Sequence, residues 1–260
     1  MEMYIKTSFK KMKKFLLVFV LLVIIILSSG YSLMKISAHG SENNYFNRRI
    51  RIQISQYPMM RKILSLHYDG DARADYLGKK NDSILVKVIP MEGLYISDKI
   101  MEDFVSKIQE TIEKPTHYQY SGEQLEYRQF SDFKDLSFQL DDVRRGDVSR
   151  EAVLYLFIAN NRQDDPNQIG STLQENGIVL FEGDLLANSG GKMEMFSRNI
   201  VGTLMHEFGH QIGLRHNEYF DCLMNPVQEF DGREKLNDVT VDFCDWEKNA
   251  IQIEKDKLLN

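Results

Sequence analysis

The spacing of apolar side chains changes several times along the chain, and each change predicts a different element. Residues 83–90 alternate between apolar and polar positions, which predicts a strand with Ile84, Val86 and Val88 on one face. Ser97 then begins a segment whose apolar residues recur at helical spacing. The members of this apolar stripe are Ile100, Phe104, Val105, Ile108 and Ile112. The regular pattern therefore starts with a strand and an amphipathic helix.

The second half of the chain predicts further strands and a long helix. Residues 117–140 are mixed and predict short strands, whereas residues 152–159 form a continuous apolar run that is typical of a buried strand. Residues 178–181 follow an Asn-Gly pair and predict another strand. A long helix should begin near Glu194, and a C-terminal helix near Val241. The order of elements predicts an α+β fold around one mixed sheet.

The chain ahead of these elements is less regular. Residues 31–48 are polar and predict a linker. Residues 49–55 alternate polar residues with Ile50, Ile52 and Ile54, which predicts a half-buried strand. Residues 69–82 contain three aspartates but lack the glycine and terminal glutamate of an EF-hand, so a solvated loop is expected there. We therefore divide the chain into an N-terminal extension of unknown role at 31–82 and a catalytic domain at 83–260.

The extreme N-terminus has the pattern of a targeting segment. Five lysines precede an unbroken apolar run at residues 15–27, and small residues follow it. This pattern predicts a secretory signal peptide over residues 1–30, cleaved after Gly30 or Ala38. The alternative is an uncleaved anchor, because residues 15–34 could just cross a hydrocarbon core of ~30 Å. Both interpretations place the rest of the chain outside the cytoplasm, since the lysines stay inside.

Composition narrows the range of partners. The chain has 260 residues and a net charge of −6, which argues against nucleic acid as the main partner because no broad positive surface is available for phosphates. A membrane is expected as a partner only through residues 15–34, and only if they are kept. Cys222 and Cys244 are the only cysteines, enough for a single bridge.

One segment of the long predicted helix carries a metal-ligand pattern, His-Glu-Phe-Gly-His-Gln-Ile-Gly-Leu-Arg-His. His206 and His210 are four residues apart, so one helical turn brings both imidazoles to the same face. Glu207 lies beside the first histidine and can reach a water on the metal. Gly213 suits the end of a helix, because glycine adopts the left-handed conformation at little cost. The turn there returns His216 as a third ligand.

Three imidazoles with a fourth position open to water are typical of a catalytic zinc site rather than a closed structural one. His39, His67 and His117 stand alone in the sequence. We expect them to be surface residues or hydrogen-bonded structural residues without a functional role.

The motif HExxHxxGxxH, followed by a methionine, resembles the metzincin clan of zinc metalloproteases. Met224 lies in Cys-Leu-Met-Asn-Pro, eight residues after His216, and is similar to the clan's Met-turn. Leu-Met-Asn-Pro resembles the matrixins, and Cys-x-Met followed by Phe243-Cys244 resembles the archaemetzincins more closely. The resemblance is specific over residues 194–247 and only architectural over 83–193.

The resemblance implies a metzincin-like zincin domain: a mixed twisted sheet, an active-site helix, a Met-turn and a C-terminal helix. It implies one catalytic Zn²⁺, with Glu207 as general base in the hydrolysis of peptide or protein substrates. The substrate would lie extended along a sheet edge, for which residues 178–181 are the candidate strand. The alternative is a zinc-binding interaction protein that has lost catalysis, but such a protein would usually have lost the glutamate or a ligand.

The sequence departs from both relatives. No cysteine precedes Cys222, so the propeptide cysteine that holds matrixins latent has no counterpart here. Archaemetzincins hold a second, structural zinc with four cysteines, and this chain has Asn217 and Glu247 at two of those places. We therefore expect a disulfide between Cys222 and Cys244, which an extracytoplasmic location would favour.

Overall fold

A computed structural model describes most of the chain. It covers residues 2–41, 43–122, 124–125, 133–146, 151–160, 168–181, 193–226 and 240–259. The chain divides into two compact units, Met1–Leu66 and His67–Asn260. Residues 67–82, which the sequence analysis assigned to the extension, belong to the second unit.

The first unit is helical throughout its regular parts. It contains α1 (Glu2–Ala38), a short π-helical segment (Phe46–Ile50), α2 (Arg51–Ser55) and α3 (Pro58–Leu64). Its small core is formed by Ala38, Phe46, Leu64 and Leu66. The linker predicted from residue 31 is wrong as far as Ala38, because α1 continues to that residue.

The strand predicted at residues 49–55 is also wrong, because this segment is helical. Ile50 and Ile54 are one helical turn apart, and both pack against the small core. Apolar residues at every second position over only five residues fit a strand, but the first and last of them also share one face of a helix. The described part of this unit contains no strand with which the segment could pair.

The long first helix includes a stretch, Met12–Ala38, that is long and apolar enough to cross a membrane by length and composition alone. Its mean hydropathy is 2.6, and none of its most apolar window is buried against the rest of the protein. A signal sequence near the N-terminus has the same properties.

The second unit is built on a five-stranded sheet with the order β2-β1-β3-β5-β4. The strands are β1 (Ile84–Pro90), β2 (Thr116–Tyr120), β3 (Ala152–Ala159), β4 (Gly170–Leu173) and β5 (Gly177–Phe181). All neighbouring strands are parallel except β4, which is antiparallel to β5. The strands predicted at residues 83–90, 152–159 and 178–181 are confirmed.

The prediction that residues 178–181 form an edge strand is wrong. Residues 178–181 lie in β5, which pairs with β3 on one side and with β4 on the other. The edge belongs to β4, whose sequence Gly-Ser-Thr-Leu has neither the length nor the apolar alternation that predicts a strand. β4 exists because the turn after it, with Gln174 at φ +56°, folds it back onto β5.

Helices cover both faces of the sheet. One face packs against α4 (Arg73–Leu77), α5 (Asp98–Ile112), α7 (Met193–Gln211) and α8 (Asp245–Leu259). The other face packs against α6 (Phe133–Gly146) through Leu136 and Leu140. Because both faces of β3 are covered, it is apolar along almost its whole length.

The predicted helices are confirmed. The apolar residues of α5 are buried as expected, α7 begins at Met193 beside the predicted start at Glu194, and α8 begins at Asp245, close to the predicted start at Val241.

Two other segments differ from their predictions. In the described part of residues 117–140, β2 lies at the start and residues 133–140 belong to α6, whereas residues 123 and 126–132 lie outside the described residues. Residues 69–82 are not a solvated loop, because Asp71 is 4% exposed, and Ala72 and the α4 residues Tyr76 and Leu77 belong to the core.

A buried ion pair holds the turn between β4 and β5. The carboxylate of Glu175 accepts a hydrogen bond from His67 Nδ1 at 3.0 Å and lies 3.3 Å from Arg144 Nη2. Burial alone would raise the pKa of Glu175, but the His67 hydrogen bond and the Arg144 charge outweigh it and hold that pKa below its ordinary value. The anion therefore stabilises the folded state.

We expect Glu175→Gln to lower the free energy of unfolding by about 1–3 kcal/mol at pH 7, because Arg144 loses its anion and His67 loses a charged acceptor. A group with a lowered folded pKa stabilises the fold above its unfolded pKa and loses that effect as pH falls through the folded pKa. The difference between parent and variant should therefore shrink from pH 6 to pH 3 in urea unfolding. A difference that does not change with pH would contradict this role.

Candidate metal centre

The three histidines of the motif converge on one point. His206 and His210 lie one turn apart in α7, and His216 follows the end of the helix. The Nε2 atom of His216 lies 3.1 Å from His206 Nε2 and 3.0 Å from His210 Nε2. His206 is only 1% exposed, whereas His216 is exposed, so the point of convergence has a buried side and an open side.

A Schellman turn at the end of α7 brings the third histidine back. Gly213 has φ +94°, and its N–H donates to His210 O at 2.9 Å. The N–H of Leu214 donates to Gly209 O at 2.9 Å, which completes the paired bonds of this motif. A side chain at Gly213 would be strained at this φ and would also meet Arg73 Nη1 at 2.7 Å. The glycine thus fixes the path of the chain to His216.

Backbone carbonyls determine which ring nitrogen carries the proton. His206 Nδ1 lies 2.7 Å from Leu223 O, and His210 Nδ1 lies 3.0 Å from Leu214 O. Because a carbonyl oxygen can only accept, each Nδ1 must be the donor, and in the neutral ring each Nε2 then carries a lone pair. Both lone pairs point toward His216 Nε2. A cation between the three nitrogens would accept these lone pairs.

The donor set and its dimensions fit zinc. Tetrahedral zinc with Zn–N bonds of 2.0–2.1 Å places its nitrogen ligands about 3.3–3.4 Å apart, close to the 3.0–3.1 Å found here. Each Nδ1 bond to a carbonyl is also the usual support for a metal-bound histidine. Three imidazoles fill three positions of a tetrahedron, and among the described residues no fourth His, Cys, Asp or Glu belongs to this group.

The side chain of Glu207 extends from α7 toward the edge strand β4. It is 1% exposed, and its Oε1 is 3.5 Å from the place where a Cβ on Gly170 would stand. That Cβ would also meet Thr203 Cγ2 at 2.4 Å, so only glycine lets β4 pass this close to the helix. The carboxylate of Glu207, the residue after His206, therefore lies against the strand at the sheet edge.

Met224 packs directly beneath the ligand helix. It is fully buried, and a Cβ added at Gly209 would meet its Sδ at 2.3 Å and Phe243 Cε1 at 3.1 Å. The N–H of Asn217, the residue after His216, donates to Met224 O at 2.9 Å. Gly209, the first glycine of the motif, is thus a packing requirement, which sequence reasoning missed although a glycine inside a helix is a signal of close approach.

The structure joins Cys222 to Cys244 by a disulfide with an S–S distance of 2.04 Å and a Cα–Cα distance of 5.0 Å. Glu247 lies close enough to these sulfurs for the three residues to resemble a metal site. The sulfurs are bonded to each other and are not thiolates, and the carboxylate accepts hydrogen bonds from its surroundings, among them one from Asn217 Nδ2 at 2.8 Å.

Another residue near the centre was missed. Asp69, placed in a solvated loop by the sequence analysis, lies near His210 and Thr172. Burial of its carboxyl raises the pKa of Asp69, although a hydrogen bond with Thr172 and the nearby His210 act in the opposite direction. The next residue, Gly70, approaches Gly213, since a Cβ there would stand 3.0 Å from Gly213 Cα.

Comparison with known proteins gives a limited result. The chain matches no family model and no curated protein. Among solved structures it is similar to archaemetzincin from Methanopyrus kandleri, with a TM-score of 0.47, 16% identity and coverage of 68% of this chain and 96% of that one.

Two further structures are similar to a comparable degree. Archaemetzincin from Archaeoglobus fulgidus, complexed with malonate, has a TM-score of 0.41 and 14% identity over 65% of this chain and 99% of that one. A zinc-dependent peptidase from Methanocorpusculum labreanum has a TM-score of 0.45 and 16% identity over 66% and 99%.

We expect Gly209→Ala to damage the metal centre. Alanine is the better helix former, so the change alone would stabilise a helix by roughly 0.5–1 kcal/mol. The close approach of Met224 should outweigh this gain, because overpacking should lower the free energy of unfolding by about 1–3 kcal/mol. The melting temperature and the affinity for zinc should both fall.

The control is Gly122→Ala, because a Cβ at Gly122 has no neighbour within 4 Å. A Gly209→Ala protein that is as stable as the parent and binds zinc as tightly would show that Met224 does not depend on this glycine.

Proposed function

We propose that this protein is a zinc metallopeptidase of the metzincin type that hydrolyses peptide bonds in peptide or protein substrates. The proposal is carried by the convergence of three Nε2 atoms from His206, His210 and His216, two of them fixed as lone-pair donors by backbone carbonyls. One catalytic Zn²⁺ would be held by these three residues. The Met224 loop beneath the ligand helix would serve as the Met-turn.

Zinc, when bound, supplies a Lewis acid that lowers the pKa of its water and polarises a carbonyl. Glu207 is the residue placed to move the proton: its carboxylate would accept a proton from the attacking water and then donate it to the leaving amine. Its burial beside His206 keeps other water away from the carboxylate. An intact Glu207 favours an enzyme over the alternative of an inactive zinc-binding interaction protein.

The edge strand offers a place for an extended substrate. Among the described strands, β4 pairs only with β5 and leaves its other edge open. Gly170 of this strand lies against Glu207, so a peptide paired with β4 would run close to the proposed base. Main-chain hydrogen bonds to an exposed sheet edge bind a peptide without requiring a particular sequence.

We expect Glu207→Ala to keep zinc and to lose peptidase activity by about 10²–10⁴-fold, because it removes the general base without removing a ligand. The measurement is a peptide-library digest with and without a zinc chelator, together with metal content by elemental analysis. Glu218→Ala is the matched control, since Glu218 is an exposed glutamate close to His216.

A Glu207→Ala protein that keeps more than about a tenth of the parent rate would overturn the assignment of the base. A parent protein that binds zinc and cleaves nothing in the library would favour the interaction-protein alternative.

We place the catalytic unit outside the cytoplasm. The lysines ahead of the apolar run would stay inside, and the Cys222–Cys244 disulfide suits an oxidising compartment. Cleavage would make the protein secreted, and retention would make it membrane-anchored.

The contacts at the end of α1 favour retention. Ser37 O accepts a hydrogen bond from Asn44 Nδ2 at 2.6 Å, and Ala38 O accepts one from Arg51 Nη1 at 2.7 Å. Ala38 is buried in the small core of the first unit. Cleavage after Ala38 would therefore cut a buried bond, and cleavage after Gly30 would require α1 to unwind near its packed end.

We expect the mature protein to keep residues 1–30, as shown by intact mass after expression with its own N-terminus and extraction from membranes. Phe46→Asp should disrupt the small core and allow cleavage, whereas Tyr45→Asp should not, because Phe46 is buried and the adjacent Tyr45 is exposed. A parent protein that begins at residue 31 or 39 would overturn retention and support the secreted form.

A further inference from the structure

Glu247 is a fully buried carboxylate beneath the metal centre. Its two oxygens accept hydrogen bonds from four donors in three separate segments of chain. The donors are Asn217 Nδ2 at 2.8 Å, Leu223 N at 3.1 Å, Met224 N at 2.7 Å and Cys244 N at 3.0 Å. The carboxylate thus ties the start of α8 to the loop that carries Met224.

One of these bonds leads directly to a ligand histidine. The peptide unit between Leu223 and Met224 donates its N–H to Glu247 Oε1 at 2.7 Å, and its C=O accepts the Nδ1–H of His206 at 2.7 Å. A single planar peptide therefore connects the carboxylate to the imidazole. The two bonds lie on opposite ends of the same dipole.

The charge on Glu247 affects both bonds. A carboxylate at the N–H end of a peptide polarises it and makes its carbonyl oxygen a better acceptor, because hydrogen bonds in series strengthen one another in a low dielectric. A stronger bond at Nδ1 holds the His206 ring in one tautomer and orientation and makes its Nε2 a better ligand.

Helix capping alone does not explain the carboxylate. Cys244 is the residue ahead of α8, and a glutamate three residues further on commonly caps its N–H at the protein surface. Here the glutamate is fully buried, and burial of a charge is unfavourable unless hydrogen bonds compensate for its lost hydration. Three of its four donors belong to the loop under the histidines rather than to the helix.

We propose that Glu247 is a positioning residue for the zinc site, acting on His206 through the Leu223–Met224 peptide. This inference rests on the proposed function in that His206 is taken as a ligand. Glu247 does not touch the metal or the substrate. It sets the donor strength and orientation of one of the three imidazoles.

Glu247→Gln tests the charge while the size of the side chain is kept. Two readouts are used on the full-length chain in detergent: zinc affinity by competition with a chromophoric chelator, and the Nδ1 proton and nitrogen shifts of ¹⁵N-labelled histidine. We expect zinc affinity to fall by about 10–100-fold. The Nδ1–H of His206 should shift upfield, as its hydrogen bond weakens.

Two controls separate positioning from simple stabilisation. His210 donates to Leu214 O, a bond without Glu247, so its Nδ1–H shift should stay constant in the same spectrum. The double variant Cys222→Ser with Cys244→Ser removes the disulfide from the same loop but leaves the carboxylate. It should lower the melting temperature and leave the His206 Nδ1–H shift at the parent value. Zinc affinity should change by no more than about 3-fold.

The proposal is overturned if Glu247→Gln lowers the melting temperature but leaves both the His206 shift and the zinc affinity at parent values. It is also overturned if the disulfide variant moves both readouts as far as Glu247→Gln does, since any loosening of the loop would then be sufficient. The shift can be recorded without zinc, so a parent protein that cleaves no peptide would refute the proposed function and leave this test intact.

Discussion

The candidate metal centre depends on two backbone carbonyl oxygens. Leu223 O and Leu214 O accept the Nδ1 protons of His206 and His210, and this alone directs two lone pairs to the same point. One carbonyl belongs to the turn that ends α7, and the other to the loop that carries Met224. The chemistry of the histidines is therefore fixed by the path of the main chain around them.

Close packing keeps that path in place. The ligand helix is approached from three sides at distances that only glycine permits: by β4 at Gly170, by Met224 at Gly209 and by Arg73 at Gly213. A helix enclosed in this way cannot rotate or shift without a clash, because packed interiors leave almost no free volume. Glu207, the residue after His206, is buried in the same packing against Gly170.

The sequence predicts best where chemistry or periodicity is local. The histidine spacing, the left-handed glycine and the buried strand at residues 152–159 each depend on neighbours within a few positions. The sequence does not predict β4, a four-residue strand that exists only because it folds back onto β5. Nor does it predict the role of Glu247, whose partners lie 23–30 residues away along the chain in the Met224 loop and at Asn217.

Residues 49–55 show a different limit. Their alternation fits a strand, but the choice between helix and strand in so short a segment is made by the available partner. In the first unit the partner is a small apolar cluster on helices, and Ile50 and Ile54 contact it from one face of a helix. Tertiary context therefore overrides the local pattern.

The loop beneath the histidines is closed by a covalent bond and a buried carboxylate. The disulfide between Cys222 and Cys244 and the hydrogen bonds of Glu247 both join the loop to the start of α8. With zinc held as proposed, metal exchange and loop integrity would be separate chemical events. A chelator would empty the centre while its support persists, so the emptied protein would be ready to be refilled, whereas a reductant would attack the support and leave the three imidazoles chemically unchanged.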